Sequence, residues 1–123
     1  MNALLLSAGL GTRLRPLSNN VPKALIEVNN EPILKLNLDK LYKYGIKRVI
    51  VNVHYLSDKI IDYIKKLSYP NMEILVSDES EMLLDTGGAL LKAKDLFIKD
   101  EPILIHNVDI LSDTNFSELL EYK

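Results

Sequence analysis

The sequence predicts an α/β domain built on a mainly parallel sheet. Two observations carry that prediction. Four short apolar runs, Asn2–Ser7, Arg48–Val53, Met72–Ser77 and Ile103–His106, read as strands. Each is followed by a stretch with helical character, and parallel strands need such crossovers to return the chain to the same edge. The connections are expected to be right-handed.

Taken in order, Asn2 to Ser7 carries three consecutive leucines and reads as a buried strand. A loop rich in Gly, Arg, Pro and Asn runs from Ala8 to Pro22. Ala24 to Val28 reads as a second short strand, closed by the turn pair Asn29-Asn30. From Pro32, the residues Ile33, Leu34, Leu36, Leu38, Leu41 and Tyr42 recur at helical spacing, with Pro32 suited to the first turn and Gly45 to the end. After the β-branched run to Val53, Ser57 is expected to cap a helix carrying Ile60, Ile61, Ile64 and Leu67, which Pro70-Asn71 breaks. Thr86 to Phe97 reads as helix, Asp100-Glu101-Pro102 as a turn, and Phe116 to Tyr122 as the start of a further helix. Residues 1–123 are expected to form a single domain.

Composition removes several functional classes. A net charge of −2 leaves no basic footprint for nucleic acid. The absence of cysteine excludes disulfides and thiolate metal sites and fits a cytoplasmic protein. The apolar start lacks the basic segment of a signal peptide and is too short to span a bilayer, so no membrane role is expected.

The chemistry concentrates in the loop after the first strand, Leu6-Ser7-Ala8-Gly9-Leu10-Gly11-Thr12-Arg13-Leu14-Arg15-Pro16-Leu17, with Pro22-Lys23 downstream. Open α/β sheets bind ligands beyond the carboxyl ends of their strands, where this loop falls. Gly9 and Gly11 let backbone N–H groups approach an anion. Arg13 adds a planar bidentate phosphate donor and Lys23 a point charge. A P-loop is excluded because no Gly-Lys pair exists, and the dinucleotide fingerprint is excluded because Leu14 stands where it needs glycine.

The run Gly9 to Leu17, with Pro22-Lys23, closely resembles the signature of the sugar-1-phosphate nucleotidyltransferases, G-x-G-T-R-L-x-P-L/A followed by P/S-K. The resemblance extends along the chain. Leu84-Asp85-Thr86-Gly87-Gly88-Ala89-Leu90 is similar to the family's base-binding segment L-G-T-A-G-A-L, and His106-Asn107-Val108-Asp109 to its metal-binding strand end V-N-G-D. It implies a Rossmann-like three-layer α/β/α fold of the glycosyltransferase-A-like type. It also implies Mg²⁺-dependent joining of an NTP and a sugar 1-phosphate, giving an NDP-sugar and pyrophosphate. Among members, the likeness runs first to uridylyltransferases acting on N-acetylmuramate 1-phosphate, then to mannose-1-phosphate guanylyltransferases.

The resemblance assigns roles by position. Arg13 would hold the triphosphate, Lys23 would bridge the α-phosphate and the incoming sugar phosphate, and Asp109 would bind Mg²⁺. Leu6, Ala8, Gly9, Gly11, Thr12, Glu79, Thr86, Gly87 and Asn107 would complete the nucleotide site. By position alone, Asp109 reads more readily as a turn former or helix cap than as a functional residue, and Thr86-Gly87-Gly88 reads as an N-cap and tight turn. His54 and His106 call only for core or surface roles, and Tyr42, Tyr44, Tyr55 and Tyr63 for packing.

At Asp85 and Val108 the sequence carries another residue where the family pattern has glycine. The chain is expected to be the N-terminal part of a longer enzyme. The resemblance puts the second metal carboxylate and most sugar contacts past Lys123. The expected partners are an NTP and a sugar 1-phosphate, with either a second copy of the chain or a C-terminal continuation. A non-catalytic nucleotide-binding regulatory module is the competing class.

Overall fold

The computed structural model describes residues 1–7, 21–54, 56–79 and 86–108. The strands of its main sheet are β1 (Asn2–Leu6), β4 (Arg48–Val53), β5 (Glu73–Asp78) and β6 (Ile103–Asn107). They run in the order β5-β4-β1-β6, and every pair is parallel. Three helices are described: α1 (Ile33–Lys43), α2 (Ser57–Lys65) and α3 (Thr86–Ala93).

Side-chain alternation along the central strands builds the layers. Ala3 and Leu5 of β1, with Val49, Val51 and Val53 of β4, face α1 and α2. There they pack on Ile33, Leu34, Leu38, Leu41, Ile60 and Ile64. Leu4 and Ile50 face the other way, onto Ala93 and Leu90 of α3 and onto Leu96 and Phe97 just after it. The sheet is therefore covered on both sides, in the three layers expected. This also explains why β1 is apolar at consecutive positions: Ala3, Leu4 and Leu5 are all fully buried.

Polar groups anchor the amino ends of the strands. Asn2 is fully buried; its side chain accepts from the Ile98 N–H at 2.7 Å and donates to the Ile98 carbonyl at 3.0 Å. The Met1 ammonium group pairs with Glu101 at 2.6 Å, which holds the Glu101 carboxyl below its usual range.

Local structure departs from the sequence expectation in five places. The stretch expected as one strand from Ala24 to Val28 divides into a 3₁₀ turn, Lys23–Leu25, and a two-residue strand β2 (Glu27–Val28). β2 pairs antiparallel with β3 (Glu31–Pro32) around Asn29 and Asn30, both at positive φ, a hairpin turn for which asparagine is suited. Pro32 consequently precedes α1 instead of lying in its first turn. Ser57 is the first residue of α2, and Leu56, in the left-handed conformation, holds the cap position without a side-chain bond. That helix stops at Lys65, short of Pro70, and α3 gives way to a 3₁₀ turn at Lys94–Leu96. Gly45 does end α1 as expected, at φ +77°, where a glycine is favoured. The helix expected from Phe116 lies outside the described residues.

Candidate functional site

The sheet order fixes where a ligand belongs. From β1 the chain builds outward through β4 to β5, then returns to place β6 on the other side of β1. The carboxyl ends of β1 and β6 flank that reversal, the crevice where open α/β sheets bind ligands. Leu6 and Asn107 are register partners there, and the Val108 N–H donates to the Leu6 carbonyl at 3.1 Å. The glycine-rich loop leaves β1 one residue after Ser7, and Asp109 follows Val108. The two segments with the strongest chemical signals thus start side by side. Ala8, Gly9, Gly11, Thr12, Arg13 and Asp109 themselves lie outside the described residues.

α1 supports this end of the sheet. Asn37, 4% exposed, lies on its buried face with Leu34, Leu38 and Leu41. Its amide donates to the Val108 carbonyl at 2.7 Å and to the Ile33 carbonyl at 3.2 Å. The Val108 side chain is fully buried in the core on the same side. The departure from the family's glycine therefore fills core space beneath the strand end. The 3₁₀ turn carrying Lys23 packs on α1 too: Ala24 is fully buried, and the Ile33 N–H donates to the Ile26 carbonyl at 2.9 Å. Lys23 itself is half-buried. One helix thus carries both the lysine turn and the end of β6.

A second set of polar groups lies under the carboxyl ends of β1, β4 and β5. Ser7, Asn52 and Glu79 are 2%, 3% and 0% exposed. The Ser7 N–H donates to Asn52 Oδ1 at 2.7 Å, and the Ser7 hydroxyl donates to the Asn52 carbonyl. Asn52 Nδ2 donates to Glu79 Oε2 at 3.0 Å. The Glu79 N–H donates to the Val53 carbonyl at 2.7 Å, and His54 Nδ1 donates to the Glu79 carbonyl at 2.5 Å. Glu79, a candidate nucleotide contact, is thereby placed beneath the surface with its carboxyl group turned to Asn52. His54 joins this network, beyond the core or surface role its isolation suggested.

Thr86 and Gly87 open α3, and Gly87 is exposed. The first N–H groups of a helix have no partners within it and can meet an anion or a base acceptor. Asn107 is exposed at the end of β6. Its amide oxygen and the carboxylate due two residues later are hard donors of the kind Mg²⁺ prefers, with waters completing the shell. Among the described residues, no cluster of three His, Asp or Glu side chains could hold a metal.

Ser7, Asn37 and Asn52 escaped sequence reasoning, although a signal existed. Asn37 interrupts an apolar helix stripe and Asn52 an apolar strand. A polar residue at such a position needs a buried partner.

Among the described residues, the group most displaced from its ordinary titration lies elsewhere. Tyr69, in the turn before β5, has its hydroxyl pushed upward by burial and then by its 2.5 Å bond to Asp39. Lys35 is raised by its 2.9 Å contact with the same carboxylate. Tyr44 and Tyr63 pack against the core and Tyr42 against Tyr69, as expected of packing residues, whereas Tyr55 lies outside the described residues. Among the described residues, no helix is long and apolar enough to cross a membrane.

Comparison with known proteins agrees with this geometry. N-acetylmuramate alpha-1-phosphate uridylyltransferase of Caulobacter vibrioides is 37% identical over 109 residues, covering 87% of this chain and 45% of that protein. A mannose-1-phosphate guanyltransferase of Aspergillus oryzae is 37% identical over 123 residues, covering 99% of this chain and 34% of its own length. The crystal structure of HddC from Yersinia pseudotuberculosis superposes with a TM-score of 0.84 at 28% identity, covering 98% of this chain and 52% of that one. A structure of the same protein complexed with GMP-PN matches equally. The chain therefore spans less than half the length of these two curated relatives. The Nucleotidyl transferase family profile matches residues 2–123, and the chain belongs to that family.

Proposed function

We propose that the protein carrying this chain transfers a nucleotidyl group from an NTP to a sugar 1-phosphate. A phosphate oxygen of the sugar 1-phosphate attacks the α-phosphorus. The bond from that phosphorus to the oxygen bridging to the β-phosphate breaks, and pyrophosphate leaves with the electron pair. The observation that carries this reading is the pairing of Leu6 with Asn107 at the sheet's reversal point. It starts the Gly9–Leu17 signature loop and the Asp109 strand end in the same crevice.

In this reading Gly9 and Gly11 present backbone N–H groups to the triphosphate, with Leu6, Ala8 and Thr12 lining its approach. Arg13 holds the β- and γ-phosphates, stabilising the charge that gathers on the leaving pyrophosphate. Lys23, on its turn against α1, bridges the α-phosphate and the incoming phosphate. Donors aimed at developing charge contribute most to rate. Thr86 and Gly87 bound the base, with Glu79 supporting that pocket from below. Asp109 and Asn107 would hold Mg²⁺, which supplies electrostatic stabilisation of the phosphate oxygens when bound.

For base and acceptor, the proposal is uridylyl transfer to an amino-sugar 1-phosphate such as N-acetylmuramate 1-phosphate, supported by the similarity to the Caulobacter vibrioides protein. Guanylyl transfer to mannose 1-phosphate is the second reading, supported by the mannose-1-phosphate guanyltransferase relative. A cytoplasmic location accompanies either reaction. The test is pyrophosphate release by the full-length protein with each of four NTPs against a panel of sugar 1-phosphates. Release with UTP and N-acetylmuramate 1-phosphate above all other pairs supports the first reading. Preference for GTP with mannose 1-phosphate selects the second. Nucleotide binding without release in any pair would reject transfer and leave a regulatory module.

A further inference from the structure

We propose that Asn52 is the positioning residue of the nucleotide pocket. It bonds Ser7 on one side and Glu79 on the other, and so sets where two ligand-bearing segments leave the sheet. The inference rests on the functional reading above for what those segments hold.

Asn52 lies on β4 between both neighbours: its register partners are Leu6 on β1 and Ser77 on β5. The glycine-rich loop begins just after Ser7, the residue that follows Leu6. The segment leading to Thr86 begins two residues past Ser77, at Glu79. One side chain thus spans the two exits. Its orientation is fixed by chemistry. The Ser7 N–H can only donate, so the amide atom 2.7 Å away must be the oxygen. The NH₂ group then faces Glu79 Oε2 at 3.0 Å, where a carboxyl oxygen accepts.

The nearest substitutes in shape each fail at least one of the two demands. Aspartate keeps the acceptor for Ser7 but sets a second carboxyl group against Glu79. Leucine offers neither a donor nor an acceptor, and glutamine is a methylene too long. The surrounding strand is Ile50, Val51 and Val53, so an apolar β-branched residue would suit the fold better. Burying an amide there is tolerable only with its partners in place. Ser7 reinforces the joint from the other strand, since its hydroxyl donates to the Asn52 carbonyl. His54 fixes the Glu79 main chain in turn. The consequence is a hydrogen-bonded floor that fixes Ser7 and Glu79, the last described residues before the two segments, relative to each other.

The experiment compares wild type, Asn52→Ala, Asn52→Asp, Ser7→Ala and the double variant Asn52→Asp/Glu79→Gln in the full-length protein. Asn52→Ala and Asn52→Asp should each raise KM for the NTP about tenfold, the scale of a lost buried hydrogen bond. KM for the sugar 1-phosphate should stay within about twofold. The double variant restores a donor facing an acceptor with reversed polarity, and should bring the NTP KM at least about threefold below that of Asn52→Asp alone. Amide hydrogen exchange should accelerate after Ser7 and after Glu79 in the single Asn52 variants, and not elsewhere. If Asn52→Ala does not fold, the isosteric Asn52→Asp and the minimal Ser7→Ala decide. Unchanged NTP KM and unchanged exchange in those variants would overturn the proposal, as would acceleration spread evenly over the molecule. A wild type that transfers no nucleotide would sink the functional reading alone, because hydrogen exchange still reads the joint directly.

Discussion

Replacing Asn37 by leucine isolates one contact at the candidate site. The change keeps the side chain's size and removes its donor. Two carbonyls lose a bond, but unequally. The Ile33 carbonyl lies one turn earlier in α1 and retains its place in the helix ladder. The Val108 carbonyl loses a 2.7 Å bond in a setting closed to water, since Val108 is fully buried and Asn37 nearly so. A buried carbonyl left without its donor costs about 1–3 kcal/mol. The apolar leucine recovers part of that, so a net loss of about 1–2 kcal/mol is expected. With a urea dependence of about 2 kcal/mol per molar, the unfolding midpoint should fall by roughly 0.5–1 M. Circular dichroism of the full-length protein in urea reads it. The same contact steadies the peptide that leads into Asp109, so the Mg²⁺ concentration for half-maximal turnover should rise several-fold while KM for the NTP moves less. A midpoint within about 0.2 M of wild type, together with an unshifted Mg²⁺ requirement, would refute the reasoning.

Three further outcomes are expected. Arg13→Ala and Lys23→Ala should each lower kcat by about 10²–10³ with little change in thermal unfolding, because each removes a donor aimed at developing charge; turnover at the wild-type rate in either variant would remove the assigned role. Asp109→Asn keeps the shape and discards the charge, so Mg²⁺-dependent pyrophosphate release should vanish; a Mg²⁺ titration superimposable on wild type would make Asp109 structural. The Tyr69 hydroxyl is raised above 10.0 by burial and by its bond to Asp39. Its contribution to stability is therefore complete below pH 10 and lost as pH climbs through the raised value. The urea-midpoint advantage of wild type over Tyr69→Phe should accordingly hold up to about pH 10 and shrink between about pH 10 and 12, and a constant gap across that upper range would contradict it.

Much of the fold was legible because its signals are local and repeated. Arg48–Val53 and Ile103–Asn107 announce themselves as strands by β-branched and apolar runs, and α1 by residues three and four apart. The errors fall where a tertiary contact overrides a local preference. Ala24 and Val28 look like one strand. Yet Ala24 must sit flat against α1 while the chain turns back at Asn29-Asn30, so a 3₁₀ turn and a two-residue hairpin strand take its place. Ser57 looks like a cap, but the chain reaches α2 through Leu56 in a left-handed conformation and the hydroxyl is carried into the helix. Neither outcome can be read from spacing alone.

The candidate site divides along the same line. The residues proposed to touch a ligand are legible in the sequence, because phosphate chemistry demands recognisable types: glycines for close approach, Arg13 and Lys23 for charge, Asp109 for a hard cation. The residues that hold them in place were not. Asn37 and Asn52 look like minor interruptions of apolar patterns, and their partners are 71 and 27 to 45 residues away in the chain. Such contacts follow from the strand order, since β6 must return beside β1 before Val108 can meet α1. The order also explains the choice of asparagine at both points. Each position faces a main-chain group at a strand end, where the sheet ladder stops and a carbonyl or N–H would otherwise be buried without a partner. A short amide supplies the missing donor or acceptor without charge. The strand ends can then stay buried where the segments proposed to meet the ligand begin.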